Sequence, residues 1–152
     1  MKKIAILLGF IVLIVLVGWV TMSMTASGVP ALPNDVQMVE PDSSLPKELT
    51  NFWGKWTGGA FALARVTERL DFFVIVEKID REKAVLYIWS SRVGKWVRTN
   101  AEVVEDGGKY RIRYVPFPGR VNELSLRKDG SMELSFSGVT AGGSTVTLKR
   151  VP

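Results

Sequence analysis

From Gly54 to the C-terminus apolar and polar residues trade places with a period of two, and no 3.6-residue repeat is sustained. Tyr110, Ile112 and Tyr114 share one parity against Lys109, Arg111 and Arg113. Leu124 and Leu126 oppose Glu123, Ser125 and Arg127, while Met132, Leu134 and Phe136 oppose Ser131, Glu133 and Ser135. The pattern predicts strands near 54–61, 71–79, 84–91, 95–105, 109–116, 121–127, 131–137 and 144–151. Turn chemistry separates them: Asp80-Arg81-Glu82-Lys83, Asp106-Gly107-Gly108, Lys128-Asp129-Gly130 and Ala141-Gly142-Gly143. Short links make sequence neighbours antiparallel. One dry face per strand then suits an all-β fold, a small eight-stranded antiparallel up-and-down barrel with no exposed edge.

Strands two and three break the alternation. Phe72, Val74 and Val76 interleave with Phe73, Ile75 and Ile79, and Ala84, Leu86 and Ile88 with Val85, Tyr87 and Trp89. Both faces are apolar, so the outer one calls for a cover: the preceding linker, the connection between Phe61 and Leu70, a partner protein or a second copy.

A different pattern opens the chain. Ile4 to Met24 carry no charge, Lys2 and Lys3 precede them, and no lysine or arginine follows until Lys47. About 20 apolar residues span a hydrocarbon core of about 30 Å. The cation bias predicts one transmembrane helix with its N-terminus cytoplasmic and the following domain extracytoplasmic, periplasmic or at the cell surface. Ala26-Ser27-Gly28 leaves a second reading open, a cleaved signal and a secreted product. Residues 1–28 are therefore anchor or signal. Residues 29–46, with Pro30, Pro33, Pro41 and Pro46, read as a flexible linker, and 47–152 as the barrel domain. Pro46-Lys47-Glu48-Leu49 predicts a helical turn that Phe52-Trp53 would plug onto the barrel.

Composition narrows the chemistry. The chain has no histidine and no cysteine, so disulfides, thiol chemistry, histidine acid–base work and nearly every zinc, copper or haem site are excluded. No acidic calcium loop occurs, and no metal or cofactor is expected. Setting Lys2 and Lys3 aside from 20 Lys and Arg leaves 18 against 15 Asp and Glu, too even a balance to point to nucleic acid. Ser44-Leu45-Pro46-Lys47 and Ser125-Leu126-Arg127-Lys128 match a serine–lysine nucleophile pattern, but neither offers the helix start that places the lysine over the serine. Glu77, in an apolar strand, reads as a carboxylate paired with a neighbouring cation. Lys109, Arg111 and Arg113 read as a solvated stripe. No enzyme is predicted.

Gly54-Lys55-Trp56 at the head of such a meander resembles the G-x-W signature of the calycin superfamily, the lipocalins and fatty-acid-binding proteins. The resemblance runs from Phe52 to Val151. It implies that Trp56 closes one barrel end with Arg150, of the parity of Val146 and Leu148, packed across it. It also implies a binding module for a small apolar molecule, with Tyr110, Ile112, Tyr114, Leu124, Leu126, Met132, Leu134 and Phe136 as the lining. The alternative is a solid barrel that meets a protein of the cell envelope through Val85, Tyr87 and Trp89 on its outer face. Nothing in the sequence sets the oligomeric state.

Overall fold

The computed structural model describes residues 30–61, 69–138 and 144–152, so the apolar opening stretch and the anchor or signal expected there lie outside the described residues. No helix among the described residues is long and apolar enough to cross a membrane. A short helix α1 (Lys47–Thr50) leads into β1 (Gly54–Phe61), β2 (Arg69–Ile79), β3 (Lys83–Ser90), β4 (Trp96–Asp106), β5 (Lys109–Phe117), β6 (Arg120–Leu126), β7 (Met132–Gly138) and β8 (Ser144–Val151). Each strand pairs with the next, and β1 pairs antiparallel with β8, closing the barrel. Closure removes the unpaired edge that an open sheet would present.

The alternation places the core. Val74, Leu86, Ile112, Leu124, Met132, Leu134 and Leu148 are buried in one cluster inside the barrel. Where β4 meets β5, Gly107 and Gly108 have φ of 58° and 77°, the two positive values a tight two-residue hairpin requires.

Gly58 and Gly59 lie within β1. A Cβ on Gly58 would stand 2.2 Å from the Thr147 carbonyl oxygen, because β8 crosses β1 there to close the barrel. A β-bulge between Val76 and Lys78 adds a residue to β2, and its extra residue is Glu77. The bulge reverses the parity beyond it, so Ile79 joins the interior cluster and not the outer face that strict alternation assigns to it.

One barrel end is capped. Leu49 of α1, Phe52 and Trp56 are buried there, and Trp56 donates its indole N–H to the Phe52 carbonyl at 2.9 Å. The α1 N-cap position is Pro46 with no side-chain cap. Arg150 lays its guanidinium carbon 4.4 Å from the Trp56 ring centroid and donates to the carbonyls of Asn51 and Trp53. Gly54, at φ 125°, leaves the room Arg150 occupies, since a Cβ there would be 2.6 Å from Nη1. At the opposite end, here the far end, β3 turns into β4 and β5 into β6.

The stretch expected as a free linker is bonded to the barrel. Gln37 and Val39 donate their backbone N–H groups to Glu77, the first to its carboxylate and the second to its carbonyl. Asp35 accepts from the Tyr87 hydroxyl at 2.9 Å, and the Arg81 guanidinium reaches the Ser44 carbonyl at 3.5 Å. The bulge explains the attachment, because the extra residue leaves its carbonyl outside the ladder and Val39 takes it.

Candidate functional site

The eight side chains expected to line a pocket separate into three groups. Ile112, Leu124 and Leu134 are fully buried and pack in the same cluster at mid-barrel. Tyr110, opposite Glu105, and the cross-strand pair of Leu126 and the fully buried Met132 lie toward the capped end. Tyr114 and Phe136 lie toward the far end, each the cross-strand partner of Asn122.

Asn122 is the residue that sequence reasoning missed. It has the inward parity of Leu124 and Leu126, and a polar side chain at such a position was the available signal. It is 5% exposed and donates Nδ2–H to the Tyr114 hydroxyl at 2.9 Å, while its Oδ1 is buried with no hydrogen-bond partner. An amide has a donor end and an acceptor end, and one contact satisfies only one of them, whichever way round the group is placed. Leaving a buried polar atom unpaired costs about 1–3 kcal/mol.

Arg120, two residues earlier on β6, shares that parity. Its guanidinium carbon lies 5.2 Å from the Phe136 ring centroid and 5.5 Å from that of Phe117, and its Nε is also buried without a partner. Among the described residues it makes no ion pair. Phe72 completes the apolar side, 5.5 Å from Phe136. Burial pushes the Tyr114 phenol up to about 12, against the smaller opposing effects of the Asn122 hydrogen bond and the Arg120 charge. The phenol is therefore neutral at physiological pH. The far end thus brings together an unpaired acceptor, an unpaired donor, a neutral phenol and three aromatic rings.

The outer-face residues fare differently. Tyr87 is 2% exposed beneath the docked N-terminal segment, so the apolar patch expected around it is covered by the chain itself. Desolvation, then the hydrogen bond to Asp35, raises the Tyr87 phenol's pKa. Val85 and Trp89 are half-buried, and Trp89 packs edge-on against Phe73 with centroids 5.6 Å apart. Glu77 is tied to Arg98 at 2.9 Å as well as to Gln37, and Arg98 lies over the Tyr87 ring at 5.6 Å. This is a fastening between barrel and segment, with every carboxylate oxygen engaged. The basic stripe on β5 is paired too: Arg111 with Asp106 and Glu123, Arg113 with Glu123.

Two solvent-open clefts lie outside the barrel. One, of about 590 Å³, runs between Val39–Leu45 and the β2–β3 turn; the other, of about 500 Å³, lies between that turn and β4. Their carboxylates serve the turns, as when Asp80 accepts the backbone N–H groups of Glu82 and Lys83, which lower its pKa. Neither cleft touches Asn122 or Arg120. Among the described residues no group of acidic side chains is placed to hold a metal ion.

Comparisons with protein-family models, with curated proteins and with solved structures return no match. The eight-stranded closed antiparallel barrel is compatible with a calycin-like fold.

Proposed function

We propose that this chain is a calycin-type binding module, tethered to a membrane by its apolar N-terminal stretch and working on the extracytoplasmic side. The barrel takes up a small, mostly apolar molecule with a hydrogen-bonding head at its far end. One observation carries this reading: the Asn122 Oδ1, buried inside the barrel with nothing to accept from. A polar atom left unpaired in a native core calls for an explanation, and a bound group supplies one. The lipocalin-like side of the proposal is supported by Arg150 stacked across Trp56 at the capped end.

The mid-barrel packing limits the ligand's size. Ile112, Leu124 and Leu134 fill the space below Tyr114, so the occupant sits at the far end and does not run the barrel's length. Its head donates to Asn122 Oδ1 or accepts from Arg120 Nε, and its apolar body lies on Phe72, Phe136 and Phe117.

The test is a titration of the full-length chain in lipid nanodiscs, followed through the Asn122 side-chain amide resonances. Octanamide, with donor and acceptor in one head, is expected to shift them saturably, and octane is not. Equal shifts with both compounds, or none with either, would contradict the proposal.

A further inference from the structure

Among the described residues, the barrel's exposed large hydrophobic side chains are Val93, Val97, Val115 and Phe117, with exposures between 46% and 57%. All four belong to the far end. Val93 lies in the β3–β4 turn, Val97 opens β4, and Val115 and Phe117 close β5. Scattered apolar residues need no explanation, but a set confined to one end of a closed barrel forms an apolar rim.

Exposed cations stand among these side chains. Arg92 and Lys95 lie in the β3–β4 turn beside Val93, and neither has a carboxylate partner among the described residues. The described carboxylate at that end is Asp71, engaged by Arg69 at 3.0 Å. The capped end mixes both signs, with Asp80, Glu82, Asp106 and Asp129 beside Arg81, Lys83, Lys109 and Lys128.

The docked N-terminal segment supplies a direction. Asp35 sits by Tyr87, Val39 by Glu77 and Ser44 by Arg81. Because β3 runs from the capped end toward the far end, that order makes the segment's N-terminal end the one nearer the rim. Residues 25–32 separate it from the apolar stretch, a reach of at most about 25–30 Å when fully extended.

From these three observations we infer that the far end of the barrel is a membrane-docking surface, which places Val93, Val97, Val115 and Phe117 in the interface of an anionic bilayer with Arg92 and Lys95 against its headgroups. Apolar side chains entering the interface and cations meeting anionic lipid are additive sources of such binding. The docking needs no ligand in the barrel, so it stands or falls apart from the binding proposal. The two meet in one consequence: the Asn122 site then opens toward the lipid, and an occupant can pass from the bilayer without crossing water.

The absence of cysteine makes the test clean. Full-length protein carrying Val93→Cys or Val115→Cys at the far end, or Lys109→Cys or Lys128→Cys at the capped end, is labelled with an environment-sensitive fluorophore. Each is reconstituted into vesicles of phosphatidylcholine with phosphatidylglycerol, containing brominated lipid as quencher. Quenching is expected at positions 93 and 115 and not at 109 or 128. Combining Arg92→Gln with Lys95→Gln is expected to lower the docked population roughly tenfold or more. Absence of quenching at 93 and 115, or equal quenching at both ends, would overturn the inference. Equal quenching in vesicles of phosphatidylcholine alone would overturn it too, since the cations would then be idle. Because all four labelling positions are exposed, folding is not at risk, and the octanamide titration reports separately on the ligand.

Discussion

Asn122 and Tyr114 form a buried polar pair against the apolar core, with the Arg120 charge near them. Replacing Asn122 with leucine removes an unsatisfied oxygen but strands the buried Tyr114 hydroxyl, two effects of opposite sign and similar size. We therefore expect Asn122→Leu to leave the unfolding free energy in urea within about 1 kcal/mol of wild type, while octanamide binding weakens about tenfold or more. A fall in stability of several kcal/mol with binding intact would make Asn122 a structural residue only. Tyr114 gives a pH signature. Its folded pKa of about 12 lies above the ordinary phenol value of about 10, so the folded state holds the proton more tightly. Its contribution is fully present below pH 10 and is lost as pH rises toward 12. About 2–3 kcal/mol is at stake over that window, and Tyr114→Phe is expected to flatten the alkaline limb of a stability–pH curve. The inward parity of Asn122 is written in the chain beside Leu124. What it touches depends on Tyr114 across the sheet, and its unpaired oxygen depends on everything packed around it, so neither is visible to a reading along one strand.

Elements owe their positions to a few local devices. Most of the strand set follows from alternation and turn residues, because from β4 onward each strand has a dry face and short links such as Asp106-Gly107-Gly108 and Lys128-Asp129-Gly130 divide them. What escaped were features fixed by distant chain. Gly58 looks like a turn glycine beside Gly59, yet its constraint comes from Thr147 across the β1–β8 seam. Gly58→Ala is expected to cost at least about 2 kcal/mol in urea unfolding, since the new methyl meets backbone that cannot move without parting the seam. Glu77 was legible as a carboxylate needing a cation, and Arg98 supplies one. Its second role, holding Gln37 from 40 positions away, was not. Glu77→Ala is expected to speed hydrogen exchange at the Gln37 amide far more than at interior amides such as Leu124. Uniform acceleration across the barrel would show that the bulge holds up the whole sheet and not just the segment.

At the scale of the molecule, the described strands form a barrel capped at one end by Trp56 and Arg150 and polar inside near the other. The outer faces of β2 and β3 are covered in part by the chain's own N-terminal segment, which accounts for the doubled apolar pattern there without calling on a second protein around Tyr87. A segment so fastened shortens the spacer that its prolines suggest. Together these features describe a vessel with an unpaired amide oxygen inside the end opposite the Trp56 cap. Native mass spectrometry of the full-length protein released from its own membrane addresses that description directly. The wild-type chain is expected to carry a small amphiphile that Asn122→Leu fails to retain; a wild-type chain that is empty, or a variant that keeps the same adduct, would contradict it.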